Sequence, residues 1–412
     1  MDLPEDVEQL IASMCETQER QALRFTSKAW RLAVDLSEDC NDESNSINGH
    51  TLSLASILKN GPVYMRCLKT IDLTHGHPCD LVFEALEALE VQQRLKKRPI
   101  SVYFNYDFCL DPRFLQFLAC RRWHTILQTF SFRPIDQVPV ALHIPVNTQK
   151  AILRGQHFLL FEFKGPLESL ELVDSSELPL FGPERAAQES SILQKAFATP
   201  VSKLCLHGIL TDASMLSLNR LRPNLTLVSL ELHFQGICTF AHAASLQRMC
   251  PNLKHLKIKA SNLTSTNMAF FDWTSWPLLT SLDLEHNYTL DTFQMPAGLS
   301  TLKVAFTGIR TLRQLYSDSG VNYSGLSSLS MDVSPLLYAD TMDFIESHRG
   351  LKTLYLNLKN FMPKTIDIQR WSMFSGLDTL ELFFRQGLGV NGFLSQIRHA
   401  CPTVHVTVGL PF

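Results

Sequence analysis

Leu227–Leu232 reads LVSLEL, Leu253–Ile258 reads LKHLKI and Leu279–Leu284 reads LTSLDL. Each is an L-x-x-L-x-L hexamer, and the starts fall 26 residues apart. VSKLCL from Val201 stands another 26 residues upstream, and LESLEL from Leu167 precedes it. Downstream, LSTLKV (Leu299), LSSLSM (Leu326), LKTLYL (Leu351) and LDTLEL (Leu377) follow at steps of 20, 27, 25 and 26 residues. A weak copy, CPTVHV from Cys401, ends the series. Weaker copies also come earlier, as LKTIDL from Leu68, PISVYF from Pro99 and LQTFSF from Leu127. The stretch from Leu127 to Leu167 holds Pro134, Pro139 and Pro145, so irregular turns are expected there.

The spacing has a direct physical reading. In a strand alternate side chains share a face, so positions four and six of each hexamer point inward together. Leu282 and Leu284 form one such pair, Leu354 and Leu356 another. Between hexamers lie stretches with helical apolar spacing: Phe240, Ala244 and Met249; Met342, Ile345 and Glu346; Phe393, Leu394 and Ile397. Pro223, Pro251, Gly350, Gly376 and Pro402 interrupt these stretches just before the next hexamer. One strand and one helix cannot bury an apolar face alone, but stacked units share a core and build a parallel sheet. The expected fold class is therefore α/β.

These hexamers resemble the leucine-rich-repeat family over residues 65–412, irregular to about 166 and regular from about 167. The resemblance implies a solenoid with parallel strands on its concave side and helices outside. CPNLKHLKI at Cys250–Ile258 resembles the cysteine-containing repeat subclass. The family's asparagine after the strand is matched cleanly by Asn287, whereas other units carry Gln235, Thr307 or Lys359.

Residues 1–36 follow a different pattern. Val7, Leu10, Ile11 and Met14 make the stripe of an amphipathic helix. Pro4 suits its first turn, and Glu5 and Asp6 suit its positive dipole end. Thr17 and Ser27 are candidate caps for two further helices, carrying Leu23 and Trp30. So small an all-α module needs a partner, or the rest of the chain, to fold against. The run LPEDVEQLIASMCETQERQALRFTSKAWRLAV resembles an F-box, with Leu3, Pro4, Val7, Ile11 and the TSKAW run ending at Trp30 as the matching residues. Cys15 and Gln21 depart from the family's larger apolar residues. The resemblance implies docking on the Skp-type adaptor of a cullin-based ubiquitin ligase, through Leu3, Pro4, Val7, Ile11, Leu23 and Trp30. Residues 37–64 then read as a linker. The competing reading is a repeat scaffold with no ubiquitin role, its N-terminal helices capping the solenoid.

Composition is globular, with 45% hydrophobic and 19% charged residues. Lys plus Arg is 37 and Asp plus Glu is 40, a net charge of -3, which gives no electrostatic reason to expect nucleic acid or an anionic membrane. The acidic start MDLPED lacks the basic and apolar regions of a secretory signal, and no apolar run reaches membrane-span length. The 10 cysteines are scattered without a CxxC pair, as expected of reduced thiols inside a cell, in cytoplasm or nucleus. On that reading the sequons at Asn224, Asn262, Asn287 and Asn322 are chance.

No P-loop, HExxH, GxSxG or kinase motif occurs, so the chain reads as non-catalytic and without a cofactor. His75, His77 and Cys79, in THGHPCD, could share a face of an extended loop, but no fourth ligand follows at zinc spacing and Gly76 and Pro78 mark a turn. No metal site is expected. Binding on such a scaffold belongs to the sheet face left over when positions four and six are buried. That face includes Glu171, Lys203, His207, Glu231, His233, His255, Asn357 and Glu381. The expected contacts to a protein substrate are Lys257, Lys259, Asp283, Glu285, Lys303, Tyr355 and Phe383. The charged residues can instead be solvated cross-strand pairs. Tyr355 and Phe383 are favoured, since exposed aromatics are enriched at interfaces.

Overall fold

The structure is a computed structural model. It describes residues 51–53, 70–73, 79–80, 82–83, 86–87, 101–119, 124–128, 142–144, 148–154, 158–163, 167–173, 183–208, 212–234, 240–260, 272–284, 296, 298–305, 325–333, 338–358, 370–371, 374, 376–383, 390–401 and 405–409. The chain divides into two compact units, Met1–Leu170 and Glu171–Phe412.

In the first unit, β1 (Thr51–Ser53), β2 (Thr70–Leu73), β3 (Ser101–Phe104), β4 (His124–Gln128) and β6 (Thr148–Arg154) pair in that order, all parallel. β1 lies inside the stretch 37–64 read as a linker. β5 (Leu142–Ile144) and β7 (Phe161–Phe163) form a separate two-stranded parallel sheet. Two short helices, α1 (Tyr106–Leu110) and α2 (Pro112–Ala119), follow β3. Their starts are chemically specified. The Asn105 side chain accepts from the Asp107 backbone N–H at 2.9 Å, and the Asp111 carboxylate accepts from that of Arg113 at 2.8 Å, ahead of Pro112 in the first turn. The Arg113 guanidinium also binds the Asp111 side chain, which holds that carboxyl below the usual range.

The hexamer assigned to Leu127 is out of frame. Phe104 of β3 pairs with Leu127 of β4, so Leu127 occupies the sixth, inward position and the equivalent hexamer is RWHTIL, from Arg122. Leu127 is fully buried, as that place requires. β6 was not foreseen in the sequence. Its buried residues Thr148, Ala151 and Leu153 keep the one-four-six spacing of the hexamer, but alanine stands at the fourth position where the hexamer has leucine.

In the second unit, nine strands follow one another in chain order. They are β9 (Val201–His207), β10 (Ser229–Phe234), β11 (His255–Ala260), β12 (Ser281–Leu284), β13 (Thr301–Ala305), β14 (Ser328–Asp332), β15 (Thr353–Asn357), β16 (Thr379–Phe383) and β17 (His405–Gly409). Each pairs in parallel with the next. β8 (Leu167–Val173) precedes them next to β9. Leu204, Leu230, Leu256, Leu282, Leu302, Leu329, Leu354 and Leu380 occupy the fourth hexamer position, and every one is buried. The sixth position is buried as well, and so is the first, from Leu227 to Leu377. Each leucine so buried contributes about 1.5–3 kcal/mol. The result is an open parallel α/β sheet.

Helices α3 (Pro183–Ala198), α4 (Asp212–Ser217), α5 (Phe240–Met249), α6 (Tyr338–Glu346) and α7 (Val390–Ala400) link some of these strands. Their inward stripes match the expected ones at Met249, Met342 and Ile345 and differ at Ala244 and Glu346. On α5 the buried side chains are Ala243, Ser245, Leu246 and Met249, while Ala244 is exposed. On α6 they are Thr341, Met342, Phe344 and Ile345, while Glu346 is exposed and shares Arg370 with Asp343. Ile397 of α7 is buried as expected. Among the described residues between β11 and β12 a 3-10 turn at Trp273–Ser275 leads into β12, with Trp273 and Trp276 buried.

Polar side chains tie five successive turns, each to the one before it, ahead of the strands. Asn224 is buried; its Nδ2 donates to the carbonyls of Phe197 (3.0 Å) and Thr199 (3.1 Å), and its Oδ1 accepts from the Thr226 and Leu227 N–H groups, each at 3.1 Å. Asn252 Nδ2 donates to the Leu225 carbonyl at 2.8 Å. Thr280, Ser300 and Ser327 continue the series, donating to the carbonyls of Lys254, Thr280 and Ser300. Asn287, matched to the family's asparagine after the strand, lies outside the described residues.

Candidate functional site

The face of the second unit's sheet opposite the leucines carries hexamer positions three, five and seven. Position five runs in register across the sheet as Cys205, Glu231, Lys257, Asp283, Lys303, Ser330, Tyr355 and Glu381. From Glu231 to Lys303 the signs alternate. Lys257 Nζ stands 2.8 Å from Glu231 Oε1, and Asp283 lies in register between Lys257 and Lys303. Burial alone would raise the Glu231 pKa, yet hydrogen bonds from Lys257 and His233 outweigh it and hold the carboxyl below its usual value. Lys257 is held up by the same pair against the opposing effect of burial. These charges therefore answer one another across neighbouring strands, each pair weakly stabilising at such exposure.

Tyr355 and Phe383 differ from that row. Both are half-buried, and their rings stack 4.6 Å apart at 29°. They are diagonal neighbours: Tyr355 pairs with Glu381, and Phe383 with Asn357. Diagonal aromatics on adjacent strands are within reach of each other. Together the two half-buried rings make an aromatic patch on this face.

Position seven brings together a second group. His207 and His233 are register partners, and Lys259 follows His233. The two imidazole centroids are 4.2 Å apart. Cys205 Sγ lies 3.2 Å from His207 Nε2, and His233 Nε2 lies 2.5 Å from Glu231 Oε1. Glu171 Oε1 on β8 stands 3.7 Å from His207 Nε2. Gly208, at φ 72°, turns the chain directly after His207 and donates its N–H to the His233 carbonyl at 2.6 Å. A side chain at that φ would be strained.

The sequence reading placed Lys257, Lys259, Asp283, Lys303, Tyr355 and Phe383 on this face, where all six lie. It named His207 and His233 as face residues and left out Cys205. The omission has a simple cause, since an alternating Cys-x-His has its remaining partners one strand away. Glu285 lies outside the described residues, as do His75 and His77, while Cys79 is exposed. Leu3, Pro4, Val7, Ile11, Leu23 and Trp30 also lie outside them.

For that head of the chain, comparison with known families is informative. Residues 1–41 match the F-box domain family model. The match supports an F-box protein. F-box domains typically bind Skp-type adaptors and through them cullin complexes, and F-box proteins are generally non-catalytic. No curated protein matched the chain. Among the described residues no helix is long and apolar enough to cross a membrane.

Proposed function

We propose that this chain is a substrate receptor of a cullin-based ubiquitin ligase. Its F-box docks on a Skp-type adaptor through Leu3, Pro4, Val7, Ile11, Leu23 and Trp30. Its strand–helix units form a leucine-rich-repeat solenoid, and the polar sheet face with Tyr355 and Phe383 receives a protein substrate inside the cell. The receptor works by proximity, with the transfer chemistry supplied by a partner enzyme. The observation that carries this reading is the F-box match at residues 1–41, joined to a long parallel sheet that leaves one face free of core residues. The self-paired row from Glu231 to Lys303 favours the aromatic pair over the charges as the substrate anchor, since desolvating a paired charge gains little.

The test uses the full chain co-expressed with a Skp-type adaptor. Val7 and Ile11 are four residues apart, one helical turn, so they present one apolar face to a groove. Changing both to Asp puts two charges into that contact, at a cost of several kcal/mol each. Co-purification of the adaptor is expected to vanish while the melting temperature of the sheet is kept. Adaptor binding that survives the double change overturns docking through this helix. Loss of binding together with sheet stability makes the helix a solenoid cap and supports the scaffold reading.

A further inference from the structure

The positions of Cys205, His207, Glu231 and His233 follow from the sheet itself. Residues two apart on a strand share a face, and parallel neighbours stand about 4.8 Å apart. Cys205 and His207 are therefore stacked along β9, and Glu231 and His233 along β10. The register sets Cys205 beside Glu231 and His207 beside His233. Four donor side chains occupy the corners of one rectangle on the face that carries no core residues.

The distances tighten this arrangement. The ligand atoms of Cys205, His207 and His233 all lie within 4.8 Å of one another, and Sγ to His207 Nε2 is 3.2 Å. Ligands of a tetrahedral zinc, at bond lengths of about 2.0–2.3 Å, are separated by roughly 3.3–3.8 Å. Small side-chain rotations therefore close the set. All three residues are half-buried, so they are partly desolvated and still reachable from solvent. Among the described residues this is the one group of His, Cys, Asp and Glu side chains with three donors so placed.

We propose that Cys205, His207 and His233 bind a divalent transition metal of the zinc class, with the Glu231 carboxylate as fourth ligand. The donor chemistry selects the class: one thiolate and two imidazoles suit zinc or cobalt, whereas calcium and magnesium demand oxygen ligands. Glu231 Oε1 already touches His233 Nε2, so the cation takes the place of the proton those two atoms share. The thiolate and the carboxylate together offset the charge of the dication. Lys257, whose ammonium stands 2.8 Å from Glu231 Oε1, helps to hold that carboxylate in place. Gly208 and its bond to the His233 carbonyl lock the ends of β9 and β10 together just beyond the site.

The inference is independent of the adaptor reading, and its test needs no partner. The full chain is stripped with a chelator and titrated with Co2+. One equivalent is expected to bind, with a thiolate-to-cobalt charge-transfer band and the visible absorption of a four-coordinate ion, both removed by Zn2+. Cys205→Ser abolishes the charge-transfer band, and His207→Gln and His233→Gln each prevent saturation at the concentrations that fill the parent chain. Glu231→Gln replaces the anionic fourth ligand by a neutral amide and weakens binding by at least the roughly 10–100-fold seen on losing an outer partner of a metal-ligating histidine. Cys79→Ser, at an exposed thiol elsewhere, leaves the titration unchanged. Circular dichroism of each metal-free variant matches the parent, which separates loss of ligands from loss of fold. No stoichiometric cobalt binding by the parent, or a band that survives Cys205→Ser, overturns the proposal.

Discussion

Tyr355 and Phe383 stack ring to ring across two strands although neither is the other's register partner. Their contact is diagonal, over the Glu381 and Asn357 positions that complete the square. Such pairs contribute about 0.5–1.5 kcal/mol beyond the area they bury. A double-mutant cycle with Tyr355→Ala and Phe383→Ala is expected to return a coupling of about that size in urea unfolding. Strictly additive single changes would show that the rings do not support each other. In a substrate-binding assay either change is expected to weaken binding more than Lys303→Ala, whose side chain is exposed in the charged row.

Leu282 occupies the centre of β12 and is fully buried. Leu282→Ala removes methyl groups that both neighbouring strands pack against, and is expected to cost about 2–5 kcal/mol. Thermal or urea denaturation measures it. A melting curve that does not move would place this leucine outside the core.

The Asn224 amide satisfies two backbone carbonyls of the preceding turn and two N–H groups of its own. Asn224→Ala strands these groups in a buried place, with an expected cost of about 1–3 kcal/mol. Asn252→Ala, whose bond to the Leu225 carbonyl is exposed, is expected to cost less. Equal losses at the two positions would argue that burial of the clamp is immaterial.

His348 follows α6, with Nδ1 donating to the Phe344 carbonyl at 2.7 Å and its ring 4.5 Å from that of Phe344. Burial is the larger influence and lowers its pKa, against the opposing hydrogen bond. The unfolded chain therefore takes up this proton first as pH falls through about 6.5. Stability from this group is whole above that pH and is lost below it, at no more than about 1.4 kcal/mol per pH unit. Urea midpoints of the parent and of His348→Gln are expected to converge between pH 7.5 and 5.5. Midpoints that stay parallel would show that His348 titrates alike in both states.

The regular strands were legible because burial recurs at positions one, four and six of every hexamer, which a periodic sequence displays openly. β6 was hidden because Ala151 is too small to announce a core position. β4 was misframed because Leu127 fits the first place of LQTFSF as well as the sixth place of RWHTIL, and only pairing with Phe104 decides. The helix stripes were mistaken at Ala244 and Glu346 because a short helix tolerates a one-residue rotation. The metal cluster escaped notice because its donors are distant along the chain. Its signal was nevertheless present: CLH at 205–207 and ELH at 231–233 hold the same hexamer positions in consecutive units, which is what makes them neighbours.

The clamps formed by Asn224, Asn252, Thr280, Ser300 and Ser327 all point one way, with the donor in the later turn and the acceptor in the earlier one. A ribosome releases the earlier turn first. Each newly made segment thus meets carbonyls already in place and brings the groups that saturate them, so the array can lengthen by accretion while translation is still under way. A nascent chain stopped at any of these turns ends in carbonyls facing water, which solvent satisfies easily. Started from the other end, it would carry side-chain donors with nothing yet made to receive them.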